Sequence, residues 1–208
     1  MQFPPVTRAL LIVNVIVYLL QQGGGEAVLV DFALWPLGPH RLEPLDNGSI
    51  ASVGFEPWQL ITYSFLHGNF PHIAFNMFAL WMFGGPVENA LGARRYTLFY
   101  FACVLGAALA QLATVAMFAP DDFGATLGAS GGVFGLLIAF AMLYPQARIV
   151  PLYLPIPIPA PIAVVLYMLA ELFFGVTGTQ SGVAHFAHLG GAVVGFALIL
   201  YWRLRLRG

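Results

Sequence analysis

Apolar residues run along this chain in long unbroken blocks, not in alternation, and glycine, proline or arginine bounds most of the blocks. Alternation at every second position would mark half-buried strands, whereas unbroken apolar runs of about 17–25 residues mark helices long enough to cross a hydrocarbon core. Six segments are read as spans: Val6–Gln22, Phe70–Val87, Tyr96–Phe118, Leu127–Tyr144, Ala160–Phe174 and Val183–Trp202. Lipid offers no partner to backbone N–H and C=O groups, so only helices and closed barrels span it, and the absence of alternation removes the barrel. The pattern predicts an all-α polytopic membrane protein, a six-helix bundle forming one membrane domain over residues 1–208. The first block, preceded by Arg8, also has the look of a signal peptide, but no small-x-small cleavage site follows it, which favours a span.

Two stretches break the pattern. The first interhelical segment, Gly23 to Asn69, is long and carries Trp35, Phe55, Trp58 and Phe65 among glycines and acids. Such aromatics suit a membrane interface, so part of this external loop is expected to lie in the outer leaflet. The second is the run from Pro151 to Pro161, whose five prolines exclude an α-helix and predict an extended approach to the fifth span. That leaves the fifth span about 15 helical residues, roughly 22 Å at 1.5 Å per residue.

Charge then orients the bundle. Arg8, Arg94, Arg95, Arg148, Arg203, Arg205 and Arg207 all fall on one side of a six-span chain, and Arg41 alone falls on the other. The positive-inside rule makes both termini cytoplasmic and the long first loop external. Composition agrees with the membrane assignment: 60% of residues are apolar and 8% charged, against about 25% charged in soluble domains. A net charge of −1 without a single lysine excludes a nucleic-acid footprint. Cys103 is alone and cannot form an intrachain disulfide, and neither a phosphate-binding loop, a dinucleotide fingerprint nor an HExxH zinc motif is present.

Polar residues inside such spans stand out, because burying a charge there costs about 2.5–3.5 kcal/mol on insertion scales. His72 and Asn76 share one face of the second span. Ser130 sits in Gly128-Ala-Ser-Gly-Gly132 at the start of the fourth. His188, with His185 one turn above, lies near the start of the sixth. The arginine-derived topology puts all three sets in the same outer leaflet. Together they suit acyl transfer: a serine activated by a neutral histidine, with His72, Asn76 and the Ser130 amide as donors to an oxyanion. Ser130 at a helix N-terminus adds the positive dipole end. Small residues at Gly131 and Gly135, and at Ala187, Gly191 and Gly195, would let the two helices approach closely. Two bland readings stand beside this one: such glycines are often only packing, and His67 and His185 read as structural donors.

At these residues the sequence resembles the rhomboid family of intramembrane serine proteases, over nearly the whole chain. Gly128-Ala129-Ser130-Gly131 matches the family's nucleophile motif, Ala187-His188-Leu189-Gly190-Gly191 its base motif, and His72-Ile-Ala-Phe-Asn76 its oxyanion motif, with His67 preceding. Gly84-Gly85-Pro86-Val87-Glu88 resembles the end of the family's second span, and Phe134 falls where an aromatic packs on the imidazole. His188 fits the base motif better than His185. The resemblance implies a Ser130–His188 dyad without a third acid, no cofactor or metal, and transmembrane helices of other proteins as substrates. It also implies a rhomboid-like bundle in a bacterial plasma membrane with the site facing outward. Glu171, near the end of the fifth span, reads as a loop anchor. The chain departs from the family at Trp58-Gln59, where an arginine is usual after the tryptophan, which puts that loop's contacts in question. Two readings of other classes compete: a metal site built from His67, His72, His185 and His188, and a catalytically silent escort of membrane helices.

Overall fold

A computed structural model describes residues 4–45, 48–150, 155–178 and 184–205. The first part of the proline run, Pro151 to Leu154, lies outside the described residues, as do Val183 and Arg207. The chain is mostly helical. Helix α1 (Pro5–Gly24) leads into a short α2 (Glu26–Phe32), a hairpin of β1 (Arg41–Pro44) and β2 (Ile50–Val53), and a single turn α3 (Gln59–Thr62). Next come α4 (Phe70–Ala79) and α5 (Gly85–Leu91), joined through a widened π-helical turn at Leu80–Gly84. Helices α6 (Ala93–Phe118) and α7 (Ser130–Leu143) follow, then a two-residue ribbon of β3 (Arg148–Ile149) with β4 (Ile158–Pro159), and finally α8 (Ala160–Thr177) and α9 (His185–Arg205). In the first hairpin Arg41 pairs with Val53 and Pro44 with Ile50; in the second, Arg148 pairs with Pro159.

Among the described residues, four helices are long and apolar enough to cross a membrane: Pro5–Gly24, Ala93–Phe118, Ala160–Thr177 and the stretch His185–Leu204. Their outward faces carry Ile12, Leu19, Leu20, Leu98, Leu109, Leu166, Phe173 and Phe196, all exposed. An apolar surface of this extent is stable only against lipid, and the protein is an integral membrane protein. Several boundaries differ from expectation, three of them on the helices that carry the site. Helix α7 starts at Ser130 instead of Leu127, because Gly128 takes a φ of 128° that ends any helix. Helix α8 begins at Ala160 as expected, with Pro161 in its first turn, where a missing N–H costs no hydrogen bond, but runs three residues further, to Thr177, and so has 18 residues instead of about 15. Helix α9 begins at His185, two residues later than expected.

Helix α6 lies at the centre of the bundle, with Tyr96, Phe99, Tyr100, Cys103, Val104 and Ala107 fully buried. It packs on α7 and α9, and those two cross on glycine. A Cβ on Gly195 would lie 2.9 Å from Gly135 Cα, and one on Gly191 would lie 2.8 Å from the Gly131 carbonyl carbon and collide with its oxygen. Only hydrogen at those positions permits this approach.

The Gly84–Glu88 segment has a structural task. Gly84 gives room to Tyr96 and Thr7, and Glu88, buried at 3% exposure, caps α1 from 81 and 82 residues away in sequence. Val6 N donates to Glu88 Oε1 at 2.9 Å, and Thr7 N and Oγ1 both donate to Oε2 at 2.7 Å. The carboxylate thus satisfies first-turn amides that the helix itself cannot and sits at the positive dipole end.

The segments 26–45 and 48–65 are tied together around Gln59, which is buried. Its Oε1 accepts from Trp35 N at 3.2 Å and Glu56 N at 3.1 Å, and its Nε2 donates to Gly54 O at 3.1 Å. Trp58 Nε1 donates to Asp31 O at 2.8 Å and Thr62 Oγ1 to Phe32 O at 2.8 Å, which fastens α3 to the end of α2. The neutral amide therefore ties this segment together where the family resemblance leads one to expect an arginine.

Charge-assisted hydrogen bonds contribute about 1.5–3 kcal/mol each, and a buried donor left without its partner costs more. Glu88→Ala is therefore expected to destabilise the protein by about 3 kcal/mol or more, and Glu88→Gln by less. Thermal unfolding of detergent-solubilised protein measures both; equal midpoints for Glu88→Ala and wild type would remove this cap from the fold's essential contacts.

Candidate active site

Ser130 is delivered by a turn whose geometry is set from outside. The left-handed Gly128 donates its N–H to Tyr63 O at 3.0 Å, and the fully buried Tyr63 donates its hydroxyl to Val104 O on α6 at 2.8 Å. Just upstream, Leu34 and Thr126 exchange backbone hydrogen bonds of 2.9 and 2.8 Å. The chain then enters α7, whose first-turn amides lack intrahelical acceptors, with Ser130 as its first residue.

His188 comes from α9, across the glycine crossing. Its Nε2 lies 2.8 Å from Ser130 Oγ, and its ring stacks on Phe134 at 4.4 Å between centroids and 9° between planes. Its Nδ1 lies 2.9 Å from Glu171 Oε2, and His185 Nδ1 lies 2.6 Å from the same oxygen. A carboxylate accepts and does not donate, so both rings present Nδ1–H to it, and His188 Nε2 keeps the lone pair that receives the Ser130 hydroxyl proton. Two expectations are corrected here: His188 does have an acid beside it, and Glu171 is not a loop anchor. The longer α8 is the reason, since it continues to Thr177 and leaves Glu171 within the helix, turned towards α9.

His72 and Asn76 stand opposite. Asn69 Oδ1 accepts from His72 N at 2.8 Å and caps α4. Gly68 N lies 3.4 Å from His72 Nδ1 and donates to it, which leaves the ring proton on Nε2. That nitrogen faces Gly128: a Cβ on Gly128 would lie 2.8 Å from His72 Nε2 and 3.6 Å from Ser130 Oγ. The missing side chain keeps open a space bordered by both groups. Asn76 Nδ2 donates to His72 O at 3.0 Å, which commits one amide hydrogen and leaves the other free to act.

His67 is fully buried beside His72, edge to face at 5.1 Å. Among the described residues, neither of its ring nitrogens makes a hydrogen bond of normal geometry. Burial, and secondarily the neighbouring His72, push its pKa down to about 4, so it is neutral. Its backbone is what the fold holds, since Gln21 Nε2 donates to His67 O at 2.8 Å and Gln21 Oε1 accepts from His67 N at 3.1 Å. The four imidazoles do not gather around one point. Among the described residues the group with convergent ligand atoms is Glu171, His185 and His188, within 4.8 Å of one another.

Ser130, His188, His72 and Asn76 all open on one cavity of about 1230 Å³. From them it extends along α7 past Phe83 and Leu137 to Ile149 and Val150, with Phe75 and Phe78 on α4 to one side and Tyr167 on α8 to the other.

Residues 54–205 match the family model described as the rhomboid domain. The chain belongs to the rhomboid family. It is 27% identical over 203 residues to the rhomboid protease GlpG of Serratia proteamaculans, covering 98% of this chain and 64% of that one. It is 33% identical over 139 residues to the mitochondrial rhomboid protein 1 of Saccharomyces cerevisiae, covering 65% of this chain and 39% of that one. A third relative, the mitochondrial RHOMBOID-like protein 12 of Arabidopsis thaliana, is 32% identical over 159 residues, 70% of this chain and 46% of its own. The chain thus spans less than two thirds of the length of these relatives.

Within this rhomboid domain, sequence reasoning missed Tyr63 and Gln21 as supports of the site. Neither carries a local signal: a tyrosine or a glutamine beside an apolar run reads as interfacial until its partner, 41 or 46 residues away, is known. Overpacking a close crossing costs about 1–3 kcal/mol per added group. Gly191→Ala should therefore lower the thermal midpoint and part α7 from α9, and Gly191→Val should fail to fold. A Gly191→Val protein with a wild-type midpoint would show that the crossing is not the constraint described.

Proposed function

We propose that this rhomboid protein is an intramembrane serine endopeptidase that cuts peptide bonds in or near transmembrane helices of other proteins. The observation that carries this reading is the 2.8 Å approach of Ser130 Oγ to His188 Nε2, on a ring held by stacking. Ser130 gives its proton to His188 Nε2 as Oγ attacks the scissile carbonyl carbon. The resulting oxyanion is received by the Ser130 amide, His72 Nε2–H and the free Asn76 Nδ2–H. His188 then protonates the leaving amine, and the acyl-enzyme is released by water activated at the same nitrogen.

The cavity supports the substrate class. It is larger than the about 300–1,000 Å³ of small-molecule sites, and its apolar length beside α7 suits a polypeptide segment better than a soluble metabolite. A helix hides its peptide bonds in i→i+4 hydrogen bonds, so a substrate must unwind locally to reach Ser130, and helix-breaking or polar residues lower that cost. The assignment carries with it a single membrane domain of six spans, α4 with α5 and the shorter α7 completing the four long helices, and both termini cytoplasmic. The arginine distribution supports that orientation, and the Serratia relative supports a bacterial plasma membrane with the site facing outward. No nucleic acid or cofactor enters this mechanism.

Treatment of detergent-solubilised protein with a fluorescent fluorophosphonate tests the reading. Wild type is expected to label at Ser130, and Ser130→Ala and His188→Ala to lose the label. Loss of one oxyanion donor costs about 2.7–4 kcal/mol, so Asn76→Ala should retain about 0.1–1% of wild-type proteolysis of a reconstituted transmembrane substrate. Full activity in Asn76→Ala would remove that residue from the mechanism. A folded wild type that stays unlabelled in both detergent and lipid would favour the silent-escort reading.

A further inference from the structure

We infer that Glu171 is a positioning residue for His188, completing a Ser130–His188–Glu171 relay in which His185 shares the carboxylate. The inference rests on the proteolytic reading and adds to it a side chain from a helix that bears neither member of the dyad.

Three observations carry it. The contact is made at Nδ1 of the ring whose Nε2 already meets Ser130, so it selects the tautomer in which Nε2 is the acceptor. A carboxylate that only anchored α8 to α9 would have no reason to choose that nitrogen. Second, His185 Nδ1 reaches the same oxygen at 2.6 Å, while its Nε2 is buried without a hydrogen-bond partner. His185 therefore spends its one polar contact, among the described residues, on orienting Glu171. Third, the site is largely shielded from water, with side-chain exposures of 15% for Glu171, 12% for His188 and 5% for His185. A charge so placed inside a span is costly unless partnered, and it is partnered by both rings.

During reaction the Ser130 proton passes to His188 Nε2, the Oγ–carbonyl bond forms, and the imidazole becomes an imidazolium whose Nδ1–H still faces Glu171. The carboxylate takes no proton; it orients the ring and opposes the new positive charge from 2.9 Å. The proton leaves with the amine, and the neutral ring returns to the same tautomer.

The test uses the full chain in detergent, with Glu171→Gln, Glu171→Leu and Glu171→Asp beside wild type and Ser130→Ala. Two readouts are taken: the fluorophosphonate labelling rate, and the low-field proton resonance of His188 Nδ1–H in ¹⁵N-histidine-labelled protein. Glu171→Leu and Glu171→Gln are expected to label at least about tenfold more slowly, towards the about 10⁴-fold loss seen when a soluble triad loses its acid. They should also lose the low-field resonance. Glu171→Asp is expected to recover part of both. Wild-type labelling rates in Leu and Gln variants would overturn the positioning role and leave the protease reading intact. Slow labelling with the low-field resonance unchanged, or with no recovery in the Asp variant, would make Glu171 a structural residue and overturn it too. A folded wild type that labels in neither detergent nor lipid defeats the protease reading and the relay with it.

Discussion

The close crossing of α7 and α9 is the constraint on which the rest of the molecule depends. Gly131 and Gly191 meet backbone to backbone, and Gly135 and Gly195 meet one turn further on. In lipid there is no hydrophobic force to press helices together, so association comes from van der Waals contact and interhelical hydrogen bonds, and both need short distances. The crossing supplies the distance. It places residues 58 apart in sequence, Ser130 and His188, within one hydrogen bond. It also lets α6 fill the remaining side of both helices with Tyr100, Cys103 and Ala107, where any Cβ on Gly132, Gly135 or Gly131 would intrude. The arrangement is rigid because the helices have no side chains at the crossing that could re-pack.

Polar side chains perform the second task, which is to close what the apolar bundle leaves open. Glu88, Gln59, Gln21 and Glu171 each join segments distant in sequence, and each uses both ends of its hydrogen-bonding capacity or two donors on one oxygen. In a medium without water an unpaired polar group is expensive, and these four residues each find partners, whereas the His67 ring nitrogens and His185 Nε2 stay without one among the described residues. The site is built by the same rule. His72 is fixed by Asn69 and Gly68, Gly128 by Tyr63, and His188 by Phe134 and Glu171.

The membrane class and the long helices could be read from apolar block length, since crossing lipid leaves a chain few options. Ser130, His72, Asn76 and His188 stood out because each is a polar intrusion into such a block, and the structure brings them to one cavity. What the sequence hid depends on rotation and register. The length of α8 turned on where it ends: the helix runs to Thr177, three residues past the expected Phe174, and with the end set at Phe174 Glu171 read as a loop anchor, away from His188. Its charge inside a span was nevertheless the signal that could have found it, by the same reasoning that singled out the histidines. Gln59 gave no such signal, because its partners are backbone groups of residues 31–56, invisible until that segment folds.

The origin of Glu171 matters for how the site behaves. Ser130 and His188 belong to helices locked together by glycine, so their separation is a property of the core. The acid comes instead from α8, the least buried of the four long helices, whose Ile162, Val165, Leu166, Leu169 and Phe173 face outward. At this level it meets α9 through one carboxylate oxygen shared by two imidazoles, with the Phe174 ring 6.0 Å from that of His185. Tyr167, one turn before Glu171, borders the cavity, so whatever enters between α4 and α8 lies against the helix that carries the acid. In the proposed mechanism the Ser130–His188 distance is thereby set independently of α8, while the orientation of the His188 ring depends on it. The bundle thus draws the two contacts of His188 from different sources, a fixed distance to Ser130 from one pair of helices and a carboxylate partner from a third.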